Sequence, residues 1–468
     1  MASTPVPAPR RRSFAGPIVL ITLGVVFLLG NIGVLTWPRI LLWFAHYWPL
    51  LLILWGVVKL IEYFHAQRAG YMTSGIGAGG VFLLIFIIFF GMIATVAARH
   101  DWSGVRDSIT INDNDVPFFF GNPYNFQEEV AQPFTLGSSI EIVSDRGSIS
   151  VIPWDEPRIK VMADKRVVAS SEDEARHVHE RSKPTISATG RVITISTAST
   201  AGTSAGHEFQ WAPSLRTNLQ VYVPRKADVR VQARRGDVTI DGREGQIEIT
   251  DSRGSVTVRD VKGNATLHVR HGDVNAERLM GDLSIEGRID DVTVSDVSGT
   301  VALLGDYFGE TRIARVGKAF RFSSSRTEME TGKVDGELTM DSGDLRASQL
   351  VGFKINTRSK DIHLESVTGN VQVDNRNAAV ELHADKTLGN IFINNERGDI
   401  QFYVPATAAF QISATSRGGD IETDFGELKV ESAGNQTKLS GAVGSAGAKA
   451  GKVQLNTEHA DIQIRKLG

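Results

Sequence analysis

Apolar positions in the C-terminal half fall on every second residue in short runs. Val256-Thr257-Val258-Arg259 and Leu267-His268-Val269-Arg270 both alternate apolar with polar side chains. A period of two puts the apolar set on one face of a β-strand. The runs recur on a beat marked by glycine. Gly236-Asp237-Val238, Gly254-Ser255-Val256, Gly263-Asn264-Ala265, Gly272-Asp273-Val274 and Gly281-Asp282-Leu283 follow at steps of 18, 9, 9 and 9, and Gly299-Thr300-Val301 comes 18 further on. Later copies include Gly343-Asp344-Leu345, Lys360-Asp361-Ile362, Gly369-Asn370-Val371, Gly389-Asn390-Ile391, Gly398-Asp399-Ile400, Gly419-Asp420-Ile421 and Ala460-Asp461-Ile462. One such unit buries too thin an apolar face to offset its ordering entropy, so units must stack. A short fixed period of strand plus turn predicts a solenoid. With two units per coil of about 18 residues, residues 229–466 give roughly 13 coils and a stack about 60 Å long.

The corner residues Gly236, Asp237, Gly254, Gly272, Asp273, Gly343, Asp344, Gly398, Asp399, Gly419 and Asp420 are expected to be structural. Glycine there supplies positive φ or close backbone approach, and the following Asp, Asn or Ser bonds N–H groups of its own turn. Inward positions such as Val256, Val258, Leu267, Val269, Ile391 and Ile400 are expected in the core. Residues 302–340 leave the beat and read as a lateral loop or an irregular coil.

The first hundred residues follow another pattern. Continuous apolar stretches within 14–64, and again at 75–98, contain three runs near the roughly 20 residues that span a bilayer as a helix. Trp37, Trp43, Tyr47 and Trp48 lie between the first two, where an interfacial aromatic belt would sit. Arg10-Arg11-Arg12 precedes the first run, so the positive-inside rule puts segment 1–13 in the cytoplasm and, after three spans, the remainder outside. Arg11-Arg12-Ser13-Phe14 superficially resembles a twin-arginine signal. Thr36-Trp37-Pro38 offers no cleavage site after the first run, so an uncleaved anchor is the expectation.

Residues 99–134, with Phe118-Phe119-Phe120-Gly121, read as a juxtamembrane linker. Residues 135–228 read as a β-rich leader with one short helix. Ser171 and Glu174 suggest a capping box at its start, and Pro184 ends it. His177 and His179 on that helix are expected on solvated surface. The fold class is therefore a membrane α-helical N-terminus of about three spans followed by all-β. The leader runs into a β-solenoid, 229–468, resembling a single-stranded β-helix.

Two resemblances follow from these motifs. Gly24-Val25-Val26-Phe27-Leu28-Leu29-Gly30-Asn31-Ile32-Gly33 and the Trp48–Gly56 run (Trp48-Pro49-Leu50-Leu51-Leu52-Ile53-Leu54-Trp55-Gly56) resemble the LiaI/LiaF-like transmembrane region of bacterial envelope proteins. That family is associated with cell-envelope stress systems. Glu141-Ile142-Val143-Ser144-Asp145-Arg146-Gly147-Ser148, Trp154 and Val221-Tyr222-Val223-Pro224 lead into the repeats. This combination resembles the bacterial adhesin-labelled β-solenoid family, over about residues 135–466. The resemblance implies fold and placement far more than activity.

Candidate chemistry is sparse. Net charge is −3 over 468 residues, which suggests no nucleic-acid partner. The chain has no cysteine, which excludes disulfides and thiolate metal sites. Arg235-Gly236-Asp237 and Arg397-Gly398-Asp399 spell an integrin-recognised tripeptide, but both fall on the repeat corner, which accounts for them. The Gly-Gly-x-Gly-x-Asp signature of calcium-binding β-rolls is absent. Asp290-Asp291, Glu328 and Glu330 are the nearest approach to paired glycosidase carboxylates, and no aromatic sugar platform accompanies them. No phosphate loop, nucleophile elbow or His-Glu-x-x-His occurs.

The expectation is thus no catalytic, cofactor-binding or metal site. The favoured function is a multi-pass protein of the bacterial cytoplasmic membrane whose C-terminal β-solenoid binds or scaffolds in the periplasm or extracellular space. Its partners would be the lipid bilayer and an envelope polymer or membrane protein. The alternatives are a regulatory partner of a sensor kinase and a polysaccharide-active β-helix enzyme.

Overall fold

The computed structural model describes residues 122–197, 214–444 and 450–467, with helical residues at 47–50, 52–53, 56–57, 85, 87–89 and 92. The expected spans lie mostly outside the described residues, as does the linker up to residue 121. Among the described residues no helix is long and apolar enough to cross a membrane. The chain forms two compact units. One comprises Met1–Tyr124, Val167–Val178 and Thr203–Ser214; the other comprises Asn125–Arg166, His179–Gly202 and Leu215–Gly468. The Ser171 hydroxyl accepts the N–H of Glu174 at 3.3 Å, capping the helix Glu172–Arg181. Glu174 reaches back to the N–H of Ser170, not Ser171, so the expected box closes one residue early.

The second unit is the solenoid. Strands Val229–Ala233, Ile247–Asp251, Ala265–Val269, Leu283–Ile289, Val301–Tyr307 and Phe320–Ser323 form a parallel ladder, A, mostly in an 18-residue register. Strands Val238–Asp241, Val256–Lys262, Val274–Met280, Val292–Val297 and Thr311–Val316 form a second, B. The leader joins the same stack. Ser139–Ser144 pairs with Val229–Ala233, and Ile149–Trp154 with Val238–Asp241. The inward side chains of both ladders make one apolar core, in which Val256, Val258, Leu267, Val269, Ile391 and Ile400 are all buried.

A bulge explains how four of the five ladder B strands turn their corner, Gly242 serving after Val238–Asp241. Asp260, Arg278, Asp296 and Arg315 hold φ between 51 and 59°. Each is skipped in the ladder register, as at Arg259↔Glu277 followed by Val261↔Leu279. The extra residue resets the pleat, so Val258 and Val261 both point inward despite their odd spacing. The strain of four left-handed non-glycine residues is offset in part by side chains in the same column. Arg278 grips Asp260 with two bonds of 2.7 and 2.9 Å, and Arg315 grips Asp296 with two of 2.6 and 2.8 Å.

The stack then departs from a simple coil. Thr327–Met340 runs antiparallel to Phe320–Ser323 and then to Thr311–Val316, making one full coil in the opposite sense. Of the two expectations for residues 302–340, the lateral loop is not found: strands up to Ser323 stay in the ladders, and Thr327–Met340 forms an irregular coil, irregular because it is reversed. Its tight entry is set by the Ser324 hydroxyl, which accepts the N–H of Thr327 at 3.1 Å. Asp344–Ser348 and Leu350–Thr357 pair antiparallel to the reversed coil, which restores the original direction. Asp361–Asn377 and Val380–Arg397 continue it in parallel across both ladders.

A second departure closes the stack. Gly451–Thr457 lies between Val380–Arg397 and Phe410–Arg417, and Ile462–Leu467 lies between Ile400–Pro405 and Ile421–Thr423. The last coil in sequence is therefore inserted between two earlier ones. Beyond it, the hairpin of Lys429–Ala433 and Gln436–Val443 pairs antiparallel on Phe410–Arg417 and covers that edge.

Some interior polar groups bond the backbone, whereas Thr327 and Thr357 bond each other and Thr457 Oγ1 has no partner. Thr327, Thr357, Asn375, Asn395, Thr457, Ser416 and Thr437 are all buried in the later part of ladder A. The Asn395 amide donates to the carbonyls of Ala378 and Gly398 at 2.8 and 2.9 Å, and Asn375 serves the preceding corner likewise. Arg243 takes the inward slot that Val261 and Leu279 fill in later coils. It donates to the carbonyls of Val223, Pro224 and Ala227 where the leader meets the repeats. Burial lowers its pKa to about 10.

Candidate functional site

In-register parallel stacking puts outward side chains of equal offset into rows. On ladder B, His363 pairs with Glu381 and Glu365 with His383. His383 pairs in turn with Tyr403, and Tyr403 with Arg465. Four of these side chains converge. His363 Nε2–H donates to Glu365 at 3.0 Å, and its Nδ1 lies 3.0 Å from the Glu381 carboxylate. His383 Nε2–H donates to the other Glu381 oxygen at 2.6 Å. The His383 ring packs on Tyr403 at 4.4 Å between centroids and faces His363 at 5.4 Å.

The electrostatics follow from this contact set. Burial by itself would lower the pKa of His363, but the hydrogen bonds to Glu365 and Glu381 outweigh it and the net shift is upward. Burial by itself would raise that of Glu381, but bonds from His383 and His363 hold it below the ordinary glutamate value. Donor atoms of His363, Glu381 and His383 all lie within 4.8 Å of one another. An open groove of about 620 Å³ runs alongside, lined by Glu337, Asp344, Arg346, Asp361, His363 and Glu381 among others. Two imidazoles and a carboxylate at this spacing can share protons or hold a metal ion.

None of these residues was singled out by sequence reasoning. The signal was there but indirect: His363, His383 and Tyr403 fall 20 residues apart, one per coil. The helix histidines behave otherwise. His177 is exposed as expected, whereas His179 is half-buried, stacked on Phe126 at 4.4 Å.

The corner residues are spread along the stack and do not converge. A Cβ on Gly236 would meet the Gly147 carbonyl oxygen at 2.3 Å, and one on Gly254 that of Gly236 at 2.3 Å. Gly272 sits likewise on Gly254, Gly398 on Ala378 and Gly419 on Ala460. The corner aspartates reach across coils instead of closing their own turns. Asp237 accepts the N–H of Ser255 at 3.0 Å, Asp273 that of Asp291 at 3.2 Å, and Asp399 that of Asp461 at 3.1 Å. The N–H of Asp420 donates to Asp461 at 2.8 Å. Gly343 and Asp344, just after the reversed coil, differ: their N–H groups are both held by Asp341 at 2.7 Å, and nothing crowds Gly343. Both integrin-like tripeptides therefore have their glycine packed on the previous coil and their aspartate bonded to a neighbouring one. Of the possible glycosidase carboxylates, Glu330 pairs with Arg321 and Asp291 accepts the N–H of Glu310.

Residues 140–465 match the Toastrack DUF4097 family. The chain belongs to that family. Residues 15–102 match the LiaF transmembrane domain, which makes this a membrane-associated protein. Among solved structures, the chain is similar to one described as a "putative cell adhesion protein" from Clostridium sporogenes. The identity is 11%, with 73% of this chain and 100% of that one covered, at a TM-score of 0.16. No curated protein matches.

Proposed function

We propose that this Toastrack protein is a non-catalytic binding or scaffolding element of the bacterial envelope. Three spans in the LiaF-type region anchor it, and the solenoid faces outward. The observation that supports this best is the form of the outer surface: parallel rows of Arg, Glu, His, Thr and Gln, fixed on hydrogen-bonded strands. Arg230 on Glu248 at 2.8 Å and Arg465 on Glu422 at 2.5 Å are examples of charges held in such rows. A ladder of this kind presents the same chemistry at each strand spacing of about 4.8 Å, which suits an extended polymer or a strand-like protein partner. The corner carboxylates of Asp237, Asp273 and Asp399 are spent on backbone N–H groups of neighbouring coils.

The test is to mix full-length protein in detergent with isolated cell-wall polymer. Co-sedimentation without release of reducing ends is expected. Released fragments, abolished by one carboxylate substitution, would instead make the protein an enzyme. A regulatory reading, in which the membrane hairpin contacts a sensor kinase, draws support from the LiaF transmembrane match. A sensor-kinase gene adjoining this one would favour it.

A further inference from the structure

We propose that His363, Glu381 and His383 form a binding site for a transition-metal dication of the zinc class on the outward face of ladder B. Two imidazole nitrogens and one carboxylate oxygen are a common three-ligand set for such ions, with a further position left open to water or a partner's donor. Their donor atoms are already gathered within 4.8 Å of one another. Closing onto an ion with metal–ligand bonds of about 2.0–2.2 Å requires only side-chain adjustment.

Four features make this more than a chance cluster. The ligands are borne by two hydrogen-bonded strands, with His363 directly paired to Glu381, so their Cα positions are set by the ladder. Glu365 accepts the Nε2–H of His363 at 3.0 Å, leaving Nδ1 as the atom that faces Glu381. A carboxylate on the far nitrogen of a histidine is the usual partner that fixes the tautomer of a metal ligand and strengthens its donation. Tyr403 packs against His383 with its ring tilted by 34° and restricts the imidazole from the other side. The groove along Asp344, Asp361 and Glu337 leaves the ion's open side accessible and is rich in carboxylates that attract a dication. On binding, the imidazoles coordinate in their neutral form, and any proton they carry leaves to solvent. The ion would staple two successive coils through their side chains.

The experiment uses the full chain in detergent, stripped with chelator and titrated with Zn²⁺ against a chromophoric indicator. Co²⁺ serves as the spectroscopic probe. Uptake of one zinc equivalent at micromolar or tighter affinity is expected, with visible Co²⁺ bands of a nitrogen- and oxygen-ligated site. The chain has no cysteine, so no thiolate site can mimic this signal. His383→Ala and Glu381→Gln should each weaken binding by more than about tenfold, and Glu365→Gln by about tenfold or more with stoichiometry kept. Zinc should raise the unfolding midpoint of the parent chain and not of His383→Ala. Unchanged circular dichroism separates lost binding from lost folding, and the milder Glu365→Gln serves if the alanine variant misfolds. No zinc uptake at millimolar concentration, or uptake equally tight in Glu381→Gln and Glu365→Gln, would overturn the proposal.

Discussion

A corner aspartate such as Asp237 does its work on a residue 18 positions away, the N–H of Ser255. What this needs is an oxygen acceptor, not a charge, which is why Asn264 holds Asp282 and Asn370 holds Asn390 in the same way. Asp237→Asn should therefore leave stability almost unchanged, while Asp237→Ala should cost about 1 kcal/mol in chemical denaturation. Gly254→Val should cost about 3 kcal/mol or more, because its Cβ would lie 2.3 Å from the Gly236 carbonyl oxygen and its φ is +157°.

Asp251 poses a different residue-scale problem. It points into the core from ladder A between Ala233 and Val269, only 1% exposed, and one carboxylate oxygen has no partner. Burial, reinforced by the Asp237 charge, raises its pKa from 3.8 to about 6. The folded state thus holds this proton more tightly than the unfolded state. The stabilisation is fully present below the unfolded value and is lost as pH rises through about 6. Unfolding free energy relative to Asp251→Asn should fall by about 2–3 kcal/mol between the two values. A difference that does not vary with pH would show that Asp251 is solvated.

At the scale of elements, the alternation along each strand is what separates core from surface. Val258→Asp should cost roughly 3–5 kcal/mol, as it buries an unpaired carboxylate. Thr257→Asp, one residue away on the outer face, should stay within about 0.5 kcal/mol. Equal tolerance, measured by thermal unfolding, would mean that the register is wrong. The glycine beat exposed this layer of structure because most corner glycines, Gly343 excepted, sit directly on the coil below. Three other features left no comparable mark. The reversed coil turns at Ser324-Ser325-Arg326, which carries no repeat residue. The inserted coil at Gly451–Thr457 and Ile462–Leu467 has the same pattern as its neighbours, and stacking order is not written in a pattern that all coils share. The His363, Glu381 and His383 cluster depends on which coil lies next to which, so it became visible only once register was known.

For the whole molecule, the inserted last coil makes the far end of the stack depend on the chain's final residues. In a solenoid stacked in sequence order, removing the last coil only frays an end. Here, deletion of 445–468 would unpair Val380–Arg397 from the coil beyond it and leave two open edges. Aggregation or loss of a single cooperative unfolding transition is the expected result by size exclusion and calorimetry. A soluble monomer with an unchanged midpoint would refute the insertion. The central claim is that the LiaF-type region anchors the chain so that the Toastrack solenoid faces outward. Reporter fusions after Gly468 test it most directly. Alkaline phosphatase should be active there and green fluorescent protein dark; a fluorescent fusion with inactive phosphatase would place the solenoid in the cytoplasm and contradict the proposed function.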